Sequence, residues 1–120
     1  MTKITVTAAL VAILLSSPAL SDTPDQIRAK LLATPVWAYE WKVPNAPSGK
    51  VNTGKAWFAE KDGKLIGYLD DGWKCDSEVT LRADGFDMET CADGDKQFVR
   101  SGDGFTATFG TYHYTIRPAP

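Results

Sequence analysis

The sequence predicts a mainly β domain: a small antiparallel up-and-down barrel of seven or eight strands, preceded by one short N-terminal helix. A β-sandwich or a partly open curled sheet is the alternative. Three observations lead there. The hydrophobic period changes from 3.6 to 2 after Pro35 and stays near 2 to the end of the chain. Turn signals then recur at short spacing, at Asp62-Gly63, Asp71-Gly72, Asp84-Gly85, Asp93-Gly94 and Asp103-Gly104. A meander of that many short strands has two exposed edges, and closure into a barrel removes them.

The chain begins with a segment that reads as an address. Lys3 is a positive start, residues 4–15 are apolar, and Ala19 and Ser21 take the small-residue places before Asp22. This is the pattern of a secretory signal peptide over residues 1–21, cut after Ser21. The apolar run is shorter than the ~20 residues a membrane-spanning helix needs, and Pro18 interrupts its end. No cysteine follows the run, so a lipid-modified N-terminal cysteine is excluded. The expectation is a secreted protein, periplasmic if the source is Gram-negative, with no membrane span after processing. Residues 22–120 then form one domain of 99 of the 120 residues.

Residues 23–33 are expected to be the helix. Thr23-Pro24-Asp25-Gln26 fits a capping box, with Thr23 as N-cap, Pro24 at the first helical position and Gln26 at the third. Asp25 suits the positive end of the helix dipole. Ile27, Leu31 and Leu32 share a face, positioned to cover one barrel end or one sheet face. Thr34-Pro35 ends the helix, because a residue before proline avoids the α region.

From Val36 the strands follow in order. Trp37, Tyr39, Trp41 and Val43 alternate with Ala38, Glu40 and Lys42, a half-buried strand. Residues 44–54 read as the longest loop. Strands are expected over 55–60 and 65–69, then over 73–81, the longest and expected to be central. Trp73, Cys75, Val79 and Leu81 share its inward parity, while Lys74, Asp76, Glu78 and Thr80 take the wet face. Strands over 86–91 and 97–100 follow. In the last segment, 105–116, the parity of Phe105, Ala107 and Phe109 changes at Gly110 to that of Tyr112, Tyr114 and Ile116. A phase change at glycine marks a bulge or a turn, giving seven strands without the turn and eight with it.

Cys75 and Cys91 are the only cysteines. An even pair in an exported chain reads as a disulfide. The parities conflict, since Cys91 falls in phase with Asp87 and Glu89 rather than with Phe86 and Met88. Either a bulge near Thr90 resolves this, or the disulfide ties the strand end out of the hairpin plane.

Charge narrows the partners. Residues 60–95 hold eleven acidic residues against four basic ones, a net of −7. That argues against nucleic acid, which needs a basic stripe, and permits a basic protein partner. Catalytic chemistry is poorly supplied. His113 is the sole histidine, so a nucleophile–histidine–carboxylate set has one candidate base, placed between two tyrosines at strand spacing. Acidic pairs such as Asp70-Asp71 lie in turns beside glycine, unlike the buried carboxylates of glycosidases. Asp70-Asp71 and Asp93-Gly94-Asp95 offer hard oxygen ligands for calcium, without the EF-hand pattern. No catalytic residue, metal ligand or cofactor is assigned.

Aromatic residues are the stronger signal. All thirteen lie beyond residue 21. Trp37, Tyr39, Trp41, Trp57 and Trp73 are the candidate ligand-binding set, each able to fill a core or to line a cavity. The leading expectation is a non-catalytic binding domain for a small molecule or glycan. The alternative is a protein-binding module, such as an inhibitor of a basic envelope-directed enzyme like lysozyme, steered by the −7 segment.

Two partial resemblances concern architecture alone. A short helix followed by a strand bearing Trp37 is similar in order to lipocalin-like proteins, although Pro35-Val36-Trp37 stands where their Gly-x-Trp would be. Ser101-Gly102 with Phe105 is vaguely similar to the Ser-Gly loop of periplasmic inhibitors of c-type lysozyme, and the rest of that pattern is absent. Neither assigns a family, because fold alone does not fix function.

Overall fold

In the computed structural model, residues 21–43, 50–92 and 94–120 are described. The signal-like segment up to residue 20, the loop residues 44–49 and Asp93 of the calcium-type pair lie outside them. Helix α1 (Pro24–Ala33) starts on the expected capping box. The Gln26 amide donates to Thr23 Oγ1 at 3.2 Å, and the Thr23 amide donates to Gln26 Oε1 at 2.8 Å. Its last residue precedes Thr34, which is extended before Pro35. Ile27 and Leu31 are fully buried and Leu32 partly so.

Nine antiparallel strands follow among the described residues: β1 (Trp37–Lys42), β2 (Val51–Lys61), β3 (Lys64–Asp70), β4 (Lys74–Glu78), β5 (Thr80–Arg82), β6 (Gly85–Glu89), β7 (Asp95–Ser101), β8 (Gly104–Phe109) and β9 (Tyr112–Pro118). Their order in the sheet is β4-β3-β2-β1-β9-β8-β7-β6-β5. β1 pairs with β9, and the two ends of the sheet, β4 and β5, are consecutive in the chain. The result is a nearly closed barrel-like sheet. Asp62-Gly63 makes the two-residue β2–β3 turn with φ of 53° and 77°, the left-handed pair that favours Asp-Gly in hairpins. At Gly110, also at positive φ, the chain turns, so the phase change is a hairpin between β8 and β9.

The ninth strand arises from a break in the segment expected to be one long central strand. Residues 74–78 pair with β3, residues 80–82 pair with β6, and Val79 lies between. Changing partners in mid-strand brings the two sheet ends together, so this segment forms the seam. The Val79 amide donates to the Leu65 carbonyl at 2.8 Å, and the Glu89 amide donates across the seam to Ser77 Oγ at 2.9 Å. The Cys75–Cys91 disulfide closes the same gap. β6 ends at Glu89, and Thr90 continues the buried parity of Phe86 and Met88. The parity conflict at Cys91 therefore resolves in favour of a disulfide that ties the strand end.

Two expectations are corrected at strand ends. Trp73, placed inward by parity, is 75% exposed. It precedes β4 and belongs to the β3–β4 turn, where its amide donates to Asp71 Oδ1 at 3.2 Å. That Asx-type bond takes it out of the pleat on which the parity rule depends. Val79 is buried as expected, and Leu81 packs partly buried against the core containing Phe86 and Met88. The loop expected over 44–54 is shorter, because residues 51–54 pair with β1 as the start of β2.

The interior is built from rings. Phe86 contacts Phe58, Phe98 and Phe105 at centroid distances of 5.6, 5.0 and 5.1 Å, and Trp37 contacts Phe58 and Phe105 at 6.3 and 5.8 Å. Trp37 Nε1 donates to the Leu31 carbonyl at 3.4 Å. Helix α1 thus sits over the end of the barrel where β1 begins and where β2 and β5 finish, and plugs it.

The residue after the expected cleavage point is fastened to that end. The Asp22 amide donates to Asp84 Oδ1 at 2.6 Å, and the Asp84 amide returns a bond to the Asp22 carbonyl at 2.9 Å. The Asp22 amide, then the Ser21 side chain, with Arg100 and Lys30 adding to them, hold the Asp84 carboxyl below its ordinary value. A carboxyl depressed on folding contributes stability above its unfolded pKa, and that contribution is lost as pH falls through the folded value. Asp84→Asn is therefore expected to lower the melting temperature by a few degrees at pH 7 and by less at pH 3. An equal loss at both, read by thermal denaturation, would contradict this role.

Candidate functional site

Among the described residues, no helix covers the opposite end of the barrel. That end holds a cavity of about 500 Å³, within the range of small-molecule sites. β1 contributes Tyr39 and Trp41, because the inward face that begins with Trp37 under the helix continues toward this mouth. The β8–β9 hairpin contributes Phe109, Tyr112 and Tyr114, and the β3–β4 turn contributes Asp71 and Trp73. Asn52 of β2 and Thr90 to Ala92 after β6 complete the wall.

The rings brace one another. Trp41 meets Tyr112 edge-on at 5.7 Å, Tyr39 stacks with Tyr114 at 6.3 Å, and Tyr112 lies 6.4 Å from Tyr114. Burial pushes the Tyr39 phenol well above its ordinary pKa, with Tyr114 and Asp71 adding to it, so it stays neutral and able to donate. Burial also raises Tyr114, and a hydrogen bond with Thr90 opposes that rise.

Asp71 is a fixed carboxylate at the rim. Trp41 Nε1 donates to its Oδ2 at 3.2 Å, and the Trp73 amide occupies its Oδ1. Gly54 of β2 makes this placement possible, since a Cβ there would lie 2.3 Å from the Asp70 carbonyl oxygen and 2.7 Å from the Asp71 Cα. A larger residue would displace the turn that carries Asp71. Gly54→Ala is expected to leave the barrel folded and to weaken whatever the cavity binds, measured by titration beside a melting curve.

Lys96 stands behind the wall. It is fully buried on β7, donates to the Gly94 carbonyl at 2.5 Å and places its ammonium 4.1 Å from the Phe109 centroid. Such a cation over a ring face is a cation–π contact.

Of the five aromatic candidates, the structure gathers Tyr39, Trp41 and Trp73 around the cavity. Trp37 is core under the helix, and Trp57 stacks on Tyr68 at 5.5 Å beside a separate 230 Å³ cleft. The sequence reading missed Asn52, Asp71, Thr90, Phe109, Tyr112 and Tyr114. Parity with Ile116 and with Met88 could have found Tyr114 and Thr90, whereas the acidic turn at Asp70-Asp71 suggests a calcium-type ligand rather than a cavity wall, and Asn52 carries no local signal. His113 is exposed. Among the described residues no group of three or more His, Cys, Asp or Glu is placed to hold a metal, and no helix is long and apolar enough to cross a membrane. Comparison of the chain with protein families, curated proteins and solved structures finds no match in any of the three.

Proposed function

We propose that this is an exported, non-catalytic binding domain that takes a small molecule or glycan in the aromatic cavity. One observation carries the reading: six rings, those of Tyr39, Trp41, Trp73, Phe109, Tyr112 and Tyr114, enclose space that the core has not filled. Rings of Tyr and Trp bring apolar area with a polar tip, which suits recognition. Export rests on the signal-like N-terminus and is compatible with the formed Cys75–Cys91 pair. Intact-mass analysis of exported protein is expected to show a chain starting at Asp22 that gains two hydrogens on reduction. A retained Met1 would remove the export reading.

Tryptophan fluorescence tests the cavity. Trp41 and Trp73 line it, while Trp37 and Trp57 do not. A true ligand is therefore expected to change the emission of the wild type and to lose its effect with Trp41→Leu, whereas Trp57→Leu keeps it. No response across panels of glycans, organic cations and fatty acids would move the reading to a protein partner.

The alternative, a basic protein partner, has less charge at its disposal than the sequence implied. Of the acids in the −7 segment, Glu60 and Asp84 pair with bases from outside it, Arg28 and Arg100. A pull-down at low and high salt separates the two readings, since a steered charged partner weakens with salt.

A further inference from the structure

Among the described residues, the cavity lining joins several rings to one formal charge, the negative charge of Asp71, while the Lys96 ammonium stands behind Phe109. We infer that the cavity recognises an organic cation: a quaternary or alkylated ammonium head, held against Trp41, Tyr112 and Asp71, on a small uncharged body. This rests on the cavity being a ligand site and names the class of ligand.

Among the described lining residues, Asp71 is the sole charged side chain, with no lysine, arginine or histidine. An anionic ligand would meet a carboxylate and the negative faces of the rings without a compensating donor cation in the lining. A cation meets the opposite: the face of an aromatic ring attracts it within about 6 Å of the centroid, more strongly when water is excluded. Tyr39 and Tyr114 lie near parallel at 14°, but the other ring pairs of the lining are inclined. Trp41 and Tyr112 are inclined at 64° and Tyr112 and Tyr114 at 37°. Inclined walls offer π faces from more than one direction, which suits a rounded ammonium head better than a flat sugar ring.

Asp71 is held ready for that role. Its two oxygens each accept one hydrogen bond from the turn and from Trp41, so the carboxylate is oriented before any ligand arrives. Each oxygen has a second lone pair, so its charge remains available to a head group beside Trp41. The head is assigned to this side because the Phe109 face already carries the Lys96 ammonium. A volume of about 500 Å³ exceeds a bare trimethylammonium group, so the ligand carries a further apolar or hydroxylated body. That body has a polar neighbour in the Asn52 side of the lining.

The test compares a cation with its neutral isostere on the protein as the cell exports it, with the disulfide intact. Choline and 3,3-dimethylbutan-1-ol have the same shape and differ in charge. Calorimetric and fluorescence titrations are expected to show choline binding about tenfold or more tighter than the alcohol, within the span of desolvated cation–π contacts. Asp71→Asn, checked for an unchanged melting curve, is expected to remove most of that preference. Glu40→Gln, on the exposed outer face of β1, is expected to keep it. Equal binding of choline and the alcohol, or a preference untouched by Asp71→Asn, overturns the cation assignment. Glycan binding that Trp41→Leu abolishes, with no choline binding, also overturns it and leaves the cavity reading intact. Silence of every probe removes both. Should Asp71→Asn fail to fold, the isostere comparison on the wild type decides alone.

Discussion

Trp37→Ala is expected to unfold the domain or to lower its melting temperature more than any other single aromatic truncation. Trp37 is fully buried, contacts Phe58 and Phe105, and holds the Leu31 carbonyl of α1 through its indole N–H. Removing a buried tryptophan side chain costs about 3–5 kcal/mol in transfer and cavity terms. A small domain has about 5–15 kcal/mol in total. The hole would open beneath the helix, so α1 is expected to lose its seat as well. Trp73→Ala is the control, because that side chain is 75% exposed; it is expected to change stability by less than about 1 kcal/mol, as surface substitutions generally do. Denaturant unfolding of both variants reads the contrast. If Trp37→Ala is no more harmful than Trp73→Ala, the assignment of the β1 face to a plugged end is wrong.

The double substitution Cys75→Ser, Cys91→Ser is expected to have the next largest effect, at about 3 kcal/mol for a closed loop of this length in the chain-entropy treatment. The sequence separation is 16 residues, but the bond does more than shorten that loop. It joins β4 to the end of β6 at the seam, where the hydrogen bond from the Glu89 amide to Ser77 Oγ spans the same gap. Loss of the bond is therefore expected to act locally as well as globally. Hydrogen exchange should quicken first at Glu89 and along β4, with β1 and β9 in the middle of the sheet unchanged. Because Cys91 lines the cavity, ligand affinity should fall in the same variant. A variant with unchanged unfolding and unchanged exchange would show that the seam closes without the disulfide.

Much of the architecture was legible because its causes are local. The capping box of Thr23 and Gln26 fixes where α1 starts, and Thr34-Pro35 fixes where it stops. Asp62-Gly63 and Gly110 locate turns, since few residues accept their positive φ. Alternation in β1 identifies an inward face that the structure reproduces, with Trp37 and Tyr39 buried and Glu40 exposed. Where the rule failed, a local cause of shorter range replaced it. Trp73 shares the inward parity of Cys75, but Asp71 captures its amide before the strand begins.

Partner choice could not be read in this way. Nothing in residues 74–82 says that the first half pairs with β3 and the second with β6, because pairing depends on what other strands bring to each edge. Thus the sequence determined a disulfide-tied β meander with one capped helix and a dense set of rings. Tertiary structure decided what each ring is for. Trp37, Tyr39 and Trp41 stand on one face of one strand at identical spacing. The first is core because α1 closes that end over it, and the third faces the cavity because the described residues set no helix over the other end. Side-chain periodicity encodes the direction in which a residue points; its position along the barrel relative to a plug arises from contacts between segments far apart in the chain.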